Sequence, residues 1–127
     1  MSPLLPIAEL PGHPRLGTAA LVVVAFCADW CGTCREFRPV LERIAAAHPD
    51  WLFAWADIED DADLVGDIDV DNFPTLAVFR NGVAVHFGVS LPLDQIVTRM
   101  LQSVAEAEGR PAAVPDAVTE MGARLRR

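Results

Sequence analysis

Three cysteines fall within one short stretch, Cys27, Cys31 and Cys34, and two of them form a Cys-x-x-Cys around Gly32-Thr33. An apolar run from Leu21 to Phe26 leads into the stretch, and an amphipathic helix pattern follows it. Two cysteines at this spacing, at a strand-to-helix junction, reach each other across the first helical turn. They can therefore cycle between a dithiol and a disulfide. Cys31 falls near the helix N-terminus, where unpaired N–H groups and the helix dipole favour negative charge. That placement favours a thiolate, the nucleophile of disulfide exchange. Cys34, one turn further in and less exposed, is the expected resolving thiol. Zinc is the competing chemistry, but a structural zinc site takes about four ligands. There is no second Cys/His pair, and His13, His48 and His86 are scattered singly. No metal site is expected.

The elements that must position these sulfurs are legible from periodicity. Ala20 to Ala28 reads as a central strand, because its apolar run is continuous, as where both sheet faces are covered. Thr33 to Ala47 reads as a helix. Phe37, Val40, Leu41 and Ile44 form its buried stripe, and Pro39 is expected to kink it. Trp51 to Asp57 reads as a second strand, parallel to the first through a βαβ crossover. Asp57 to Asp71 is acidic throughout and carries no base. Leu64, Val65 and Ile68 predict a brief helix there. The stretch reads as a solvated acidic surface rather than a cation site, because the order of an EF-hand loop is absent. Thr75 to Phe79 and Val83 to Phe87 read as strands joined at Asn81-Gly82, a tight-hairpin signal. Leu91 to Ala107 reads as the last helix, with Ser90 as its cap and Pro92 in its first turn.

Two terminal segments flank this unit. Residues 1–18 are Pro-rich (Pro3, Pro6, Pro11, Pro14), and Leu4 to Leu10 is expected to give a short extended edge piece at most. Residues 108–127 read as a flexible tail, in which Asp116 to Leu125 is the one stretch able to form a short helix. The domain proper is then 19–107.

Composition narrows the function classes. The chain has 127 residues, is 52% hydrophobic and carries a net charge of −8, with arginine as its only strong base. One folded domain is expected. An acidic chain without a basic stripe argues against nucleic acid as a partner, and no apolar run approaches a membrane span. The first residues carry no Lys or Arg ahead of an apolar segment, which argues against a secretory signal. The expected location is therefore cytoplasmic, where thiols meet a reducing medium.

Read together, Ala28-Asp29-Trp30-Cys31-Gly32-Thr33-Cys34-Arg35, Pro39, Phe73-Pro74-Thr75-Leu76, Asn81-Gly82 and Gly88 resemble the thioredoxin family, in the family's order, over about Ala19 to Ala107. The resemblance implies an α/β fold with a central mixed β-sheet flanked by helices on both faces. It implies a thiol–disulfide oxidoreductase, most readily a reductant of protein disulfides, active in electron transport and cell redox homeostasis. Its partners would be protein disulfide substrates and a thioredoxin-reductase-like electron donor, and it would act as a monomer with no cofactor beyond the redox-active Cys31–Cys34 pair. The resemblance makes Trp30 and a cis Phe73-Pro74 the two walls of a substrate groove. Gly32 and Thr33 shape it, and Thr75 and Gly88 complete the rim.

Three residues depart from the family pattern. Ala25 stands where the family usually has a buried aspartate, and Trp55 stands near the place of that acid's lysine partner. Slower resolution by Cys34, or water as its proton acceptor, is expected, since it lacks a local base. The intervening pair is Gly32-Thr33 rather than Gly-Pro, which should alter the redox poise. Cys27 replaces a frequent aromatic and reads as a small buried core residue; the sharper reading makes it a regulatory third thiol. These departures leave one alternative from another class, a thioredoxin-fold chaperone or assembly adaptor with little redox turnover.

Overall fold

Strand β2 (Leu21–Cys27) is buried at every residue and lies in the middle of a five-stranded sheet. The structure is a computed structural model and describes residues 4–28, 31–66, 68, 70, 72–80, 83–106 and 114–125. The other elements are β1 (Leu4–Pro6), α1 (Gly32–Ala47), β3 (Trp51–Asp57), α2 (Ala62–Val65), β4 (Thr75–Arg80), β5 (Val83–Val89), α3 (Asp94–Glu106) and α4 (Asp116–Leu125). Strand order is β1-β3-β2-β4-β5. β1, β3 and β2 run parallel, while β4 and β5 are antiparallel to their neighbours. The fold is therefore α/β with a mixed sheet, and the β2–α1–β3 crossover joins parallel strands as the periodicity requires.

The continuous apolar run of β2 has the cause expected of it. Val23 and Ala25 pack with Phe37, Leu41 and Ile44 of α1 and Val97 and Leu101 of α3. Val22, Val24 and Phe26 face the opposite layer, formed by Ile7, Leu10, Val65, Val118 and Met121. Each fully buried side chain of this size contributes roughly 1.5–3 kcal/mol against exposure. Helix α1 runs continuously through Pro39. That proline lies on the exposed side, and its missing N–H removes one intrahelical bond.

Three expectations are corrected. Residues 116–125 are not a flexible tail: α4 packs on the sheet with Val118 and Met121 wholly buried. Its apolar residues recur at helical spacing and meet a sheet face that is otherwise only partly covered. The Pro-rich start is likewise part of the domain. Leu4–Pro6 pairs with Phe53–Trp55 as the edge strand, and a 3₁₀ turn at Ile7–Glu9 buries Ile7. Prolines stop both elements early, but the apolar residues between them still reach the core. Ser90 does not cap α3, which begins at Asp94; its hydroxyl donates to the Leu91 carbonyl at 3.1 Å.

Beyond β3 the acidic stretch forms a closed turn. The Asp57 carboxylate accepts the N–H groups of Glu59 and Asp60 at 2.8 and 3.0 Å, and Asp61 accepts the N–H of Asp57 at 2.8 Å. Asp67, Asp69 and Asp71 lie outside the described residues, as do Asp29, Trp30, Asn81, Gly82 and 107–113. Among the described residues, no group of side chains could hold a metal ion and no helix is long and apolar enough to cross a membrane.

Candidate functional site

Topology gathers the site at one end of the sheet. β2 ends at Cys27, and α1 begins five residues later with Cys31 as its N-cap in an extended conformation. The Cys31 N–H donates to the Ala28 carbonyl at 3.0 Å, and the Arg35 N–H donates to the Cys31 carbonyl at 3.2 Å. These bonds fix the turn from strand to helix, so the Cys31 side chain leaves from the N-terminus of α1. Gly32 and Thr33, the first helical residues, are exposed. The Arg35 guanidinium reaches back over the turn and lies 3.8 Å from where a Cβ on Gly32 would stand.

β4 runs antiparallel to β2, so its first residue faces the last turn of that strand: Thr75 is in register with Phe26. Immediately before it, the Phe73–Pro74 peptide bond is cis. The Thr75 hydroxyl donates to the Asn72 carbonyl at 2.6 Å. β5 returns to the same end, with Gly88 opposite Leu76 and Val89 opposite Thr75. The Ser90 N–H then donates to the Pro74 carbonyl at 3.1 Å. Cys31, Cys34, Gly32, Thr33, Phe73, Pro74, Thr75 and Gly88 therefore converge on one sheet end. Trp30 lies outside the described residues.

The sulfurs are paired differently from expectation. Cys34 is bonded to Cys27, with 5.7 Å between their Cα atoms, and Cys31 carries no disulfide. Cys27 and Cys34 are buried at 0% and 1% exposure, while Cys31 is half-buried. Cys27 is the small buried residue expected, and it is also a bonding partner. Strand parity carried the signal. Val23 and Ala25 both face α1, so Cys27 faces its first turn, where Cys34 stands.

The missing acid also has a structural counterpart. Ala25 is wholly buried and lies in register with Trp55 on β3, over whose ring the Arg38 guanidinium sits at 5.1 Å. An indole and a methyl group occupy adjacent positions where a buried ion pair would otherwise need compensation.

A mixed sheet with a cysteine pair at disulfide distance, set at a strand-to-helix turn beside a cis-proline loop, defines a thiol–disulfide oxidoreductase. The chain belongs to the thioredoxin family, whose family model matches residues 15–102. It is similar to an H-type thioredoxin of Picea mariana, 30% identical over 79% of this chain and 80% of that protein. It is 41% identical to a putative thioredoxin 2 of Streptomyces coelicolor over 50% of this chain, and there it spans only 48% of the relative's length. Among solved structures, a mutant thioredoxin from Halobacterium salinarum NRC-1 superimposes with a TM-score of 0.68 at 27% identity, over 86% of this chain and 98% of that one.

Proposed function

We propose that this chain reduces disulfides in other proteins through Cys31 and Cys34. The Cys31 thiolate attacks one sulfur of a substrate disulfide; that S–S bond breaks, a mixed disulfide forms and the substrate's other sulfur leaves as a thiolate. Cys34 then gives up its proton and attacks the Cys31 sulfur. The second substrate thiolate leaves, and Cys31–Cys34 holds the oxidising equivalents. A thioredoxin-reductase-like donor returns two electrons to this pair. The protein works as a cytoplasmic monomer, without metal, nucleic acid or membrane.

One observation carries the reading: the half-buried Cys31 at the start of α1 shares its sheet end with a rim of exposed apolar side chains. Val89 is 58% and Leu91 61% exposed, just past the Ser90–Pro74 hydrogen bond. Apolar surface of this kind next to a nucleophile suits a protein chain as substrate rather than a small polar disulfide. Trp30, Gly32, Thr33, Phe73, Pro74, Thr75 and Gly88 shape the docking groove. Reduction of insulin with dithiothreitol as electron source tests this. Wild type accelerates it, and Cys31→Ser abolishes the acceleration. No acceleration by either protein would instead support an adaptor without redox turnover.

A further inference from the structure

Cys34 is bonded to one cysteine, Cys27, and follows a second, Cys31, by one helical turn. Cys31 precedes it by three residues at the N-terminus of α1, and Cys27 approaches from the end of β2, with the Cα separation of an ordinary disulfide. We propose that Cys27 is a third redox thiol, which takes over Cys34 after substrate reduction and sets Cys31 free again.

This rests on the two-thiol reading above and adds a step to it. Reduction of a substrate leaves a Cys31–Cys34 disulfide and a reduced Cys27. The Cys27 thiol loses its proton and attacks the Cys34 sulfur. The Cys31–Cys34 bond breaks, the Cys27–Cys34 bond forms, and Cys31 leaves as a thiolate that takes up a proton. One disulfide and one thiol enter, and one disulfide and one thiol remain, so no outside oxidant or reductant is needed.

Burial favours this direction. In the first isomer, the free thiol is Cys27, in the core, and the disulfide includes the partly exposed Cys31. In the second, an uncharged disulfide occupies the wholly buried positions and the thiol with water access is Cys31. A sulfur that must carry charge during exchange costs less in the second arrangement.

The oxidised protein then differs in kind from a two-cysteine reductase. It keeps a nucleophile, Cys31, but has no free resolving thiol. It can form a mixed disulfide and cannot release it, so oxidation turns a reductase into a covalent captor of disulfides. Return to the reducing form requires Cys31 to attack Cys34 again, because the Cys27–Cys34 bond itself is out of reach of an external reductase.

The test is thiol mapping on the full chain. The reduced protein is oxidised with one equivalent of diamide and quenched in acid; the remaining thiol is then alkylated in denaturant and located by tandem mass spectrometry. About ten-fold more label on Cys31 than on Cys27 is expected; label mainly on Cys27 overturns the proposal. In a second arm, the oxidised protein meets glutathione disulfide. Wild type takes up one glutathione at Cys31, and oxidised Cys27→Ala, whose only bond is Cys31–Cys34, takes up none. Uptake by neither protein, or by both equally, overturns it. Cys31→Ser should still close Cys27–Cys34 on oxidation, which needs no activity and guards against misfolding of the Cys27 variant. Failure of the two-thiol reading shows separately, as insulin reduction that survives Cys31→Ser.

Discussion

Ala25 and Trp55 stand side by side on β2 and β3, in register and on the same face of the sheet, under helix α1. Ala25 is closed to water, and Trp55 has the Arg38 guanidinium over its ring. An acid restored at position 25 would be buried without a lysine to meet it. Ala25→Asp should therefore cost about 3–5 kcal/mol in urea unfolding at neutral pH. Burial raises the pKa of such a carboxyl, so the cost should shrink as pH falls and the acid becomes neutral. A variant as stable as wild type at pH 7 would show that the pocket holds water or a partner for the charge.

Gly88 belongs to the proposed docking rim, yet among the described residues nothing requires a glycine there. Among the described residues, a Cβ there would meet only the His86 Nε2, at 3.8 Å. Gly88→Ala should fold normally, with stability within about 1 kcal/mol of wild type. If partner backbone approaches this strand end, KM for insulin rises several-fold while kcat holds. Unchanged KM would remove Gly88 from the rim.

Helix α4 makes a stability prediction that separates it from a tail. Met121 is wholly buried against the sheet with Val118. Met121→Ala should cost about 2–5 kcal/mol in chemical denaturation. A loss under half a kcal/mol would mean that α4 is loosely attached in solution.

His86 on β5 is half-buried, and that burial lowers its pKa below 6.5. The unfolded chain thus binds a proton that the folded chain resists. The stability from keeping His86 neutral is present above pH 6.5 and is lost as pH falls from there through the lowered value. His86→Gln should flatten the decline of the urea midpoint between pH 7 and pH 5; an identical decline in both proteins would assign it to other groups.

Much of this architecture was legible because burial writes itself into periodicity. The unbroken apolar run of β2, the helical stripe Phe37–Leu41–Ile44 and the strand Trp51–Asp57 each specify their own surroundings. The cis-proline loop was legible only through the resemblance, since X-Pro bonds are mostly trans. Asp116–Leu125 was legible as a possible helix but its docking was not, because a short amphipathic helix after Pro115 looks the same whether or not a sheet face lies open for it. The burial of Cys27 was legible but its bond was not, because residue type was weighed without parity: Val23, Ala25 and Cys27 alternate onto the side that carries Cys34.

The position of α4 in the chain also bears on biogenesis. The sheet and the α1–α3 layer can assemble as soon as β5 and α3 have been made. The opposite face of the sheet gains its last cover, on β5, only when α4 emerges. A nascent chain stalled before residue 116 would leave that apolar face only partly covered, a natural target for ribosome-associated chaperones and for aggregation. In vivo yield should thus depend on how quickly the final helix is translated and docks.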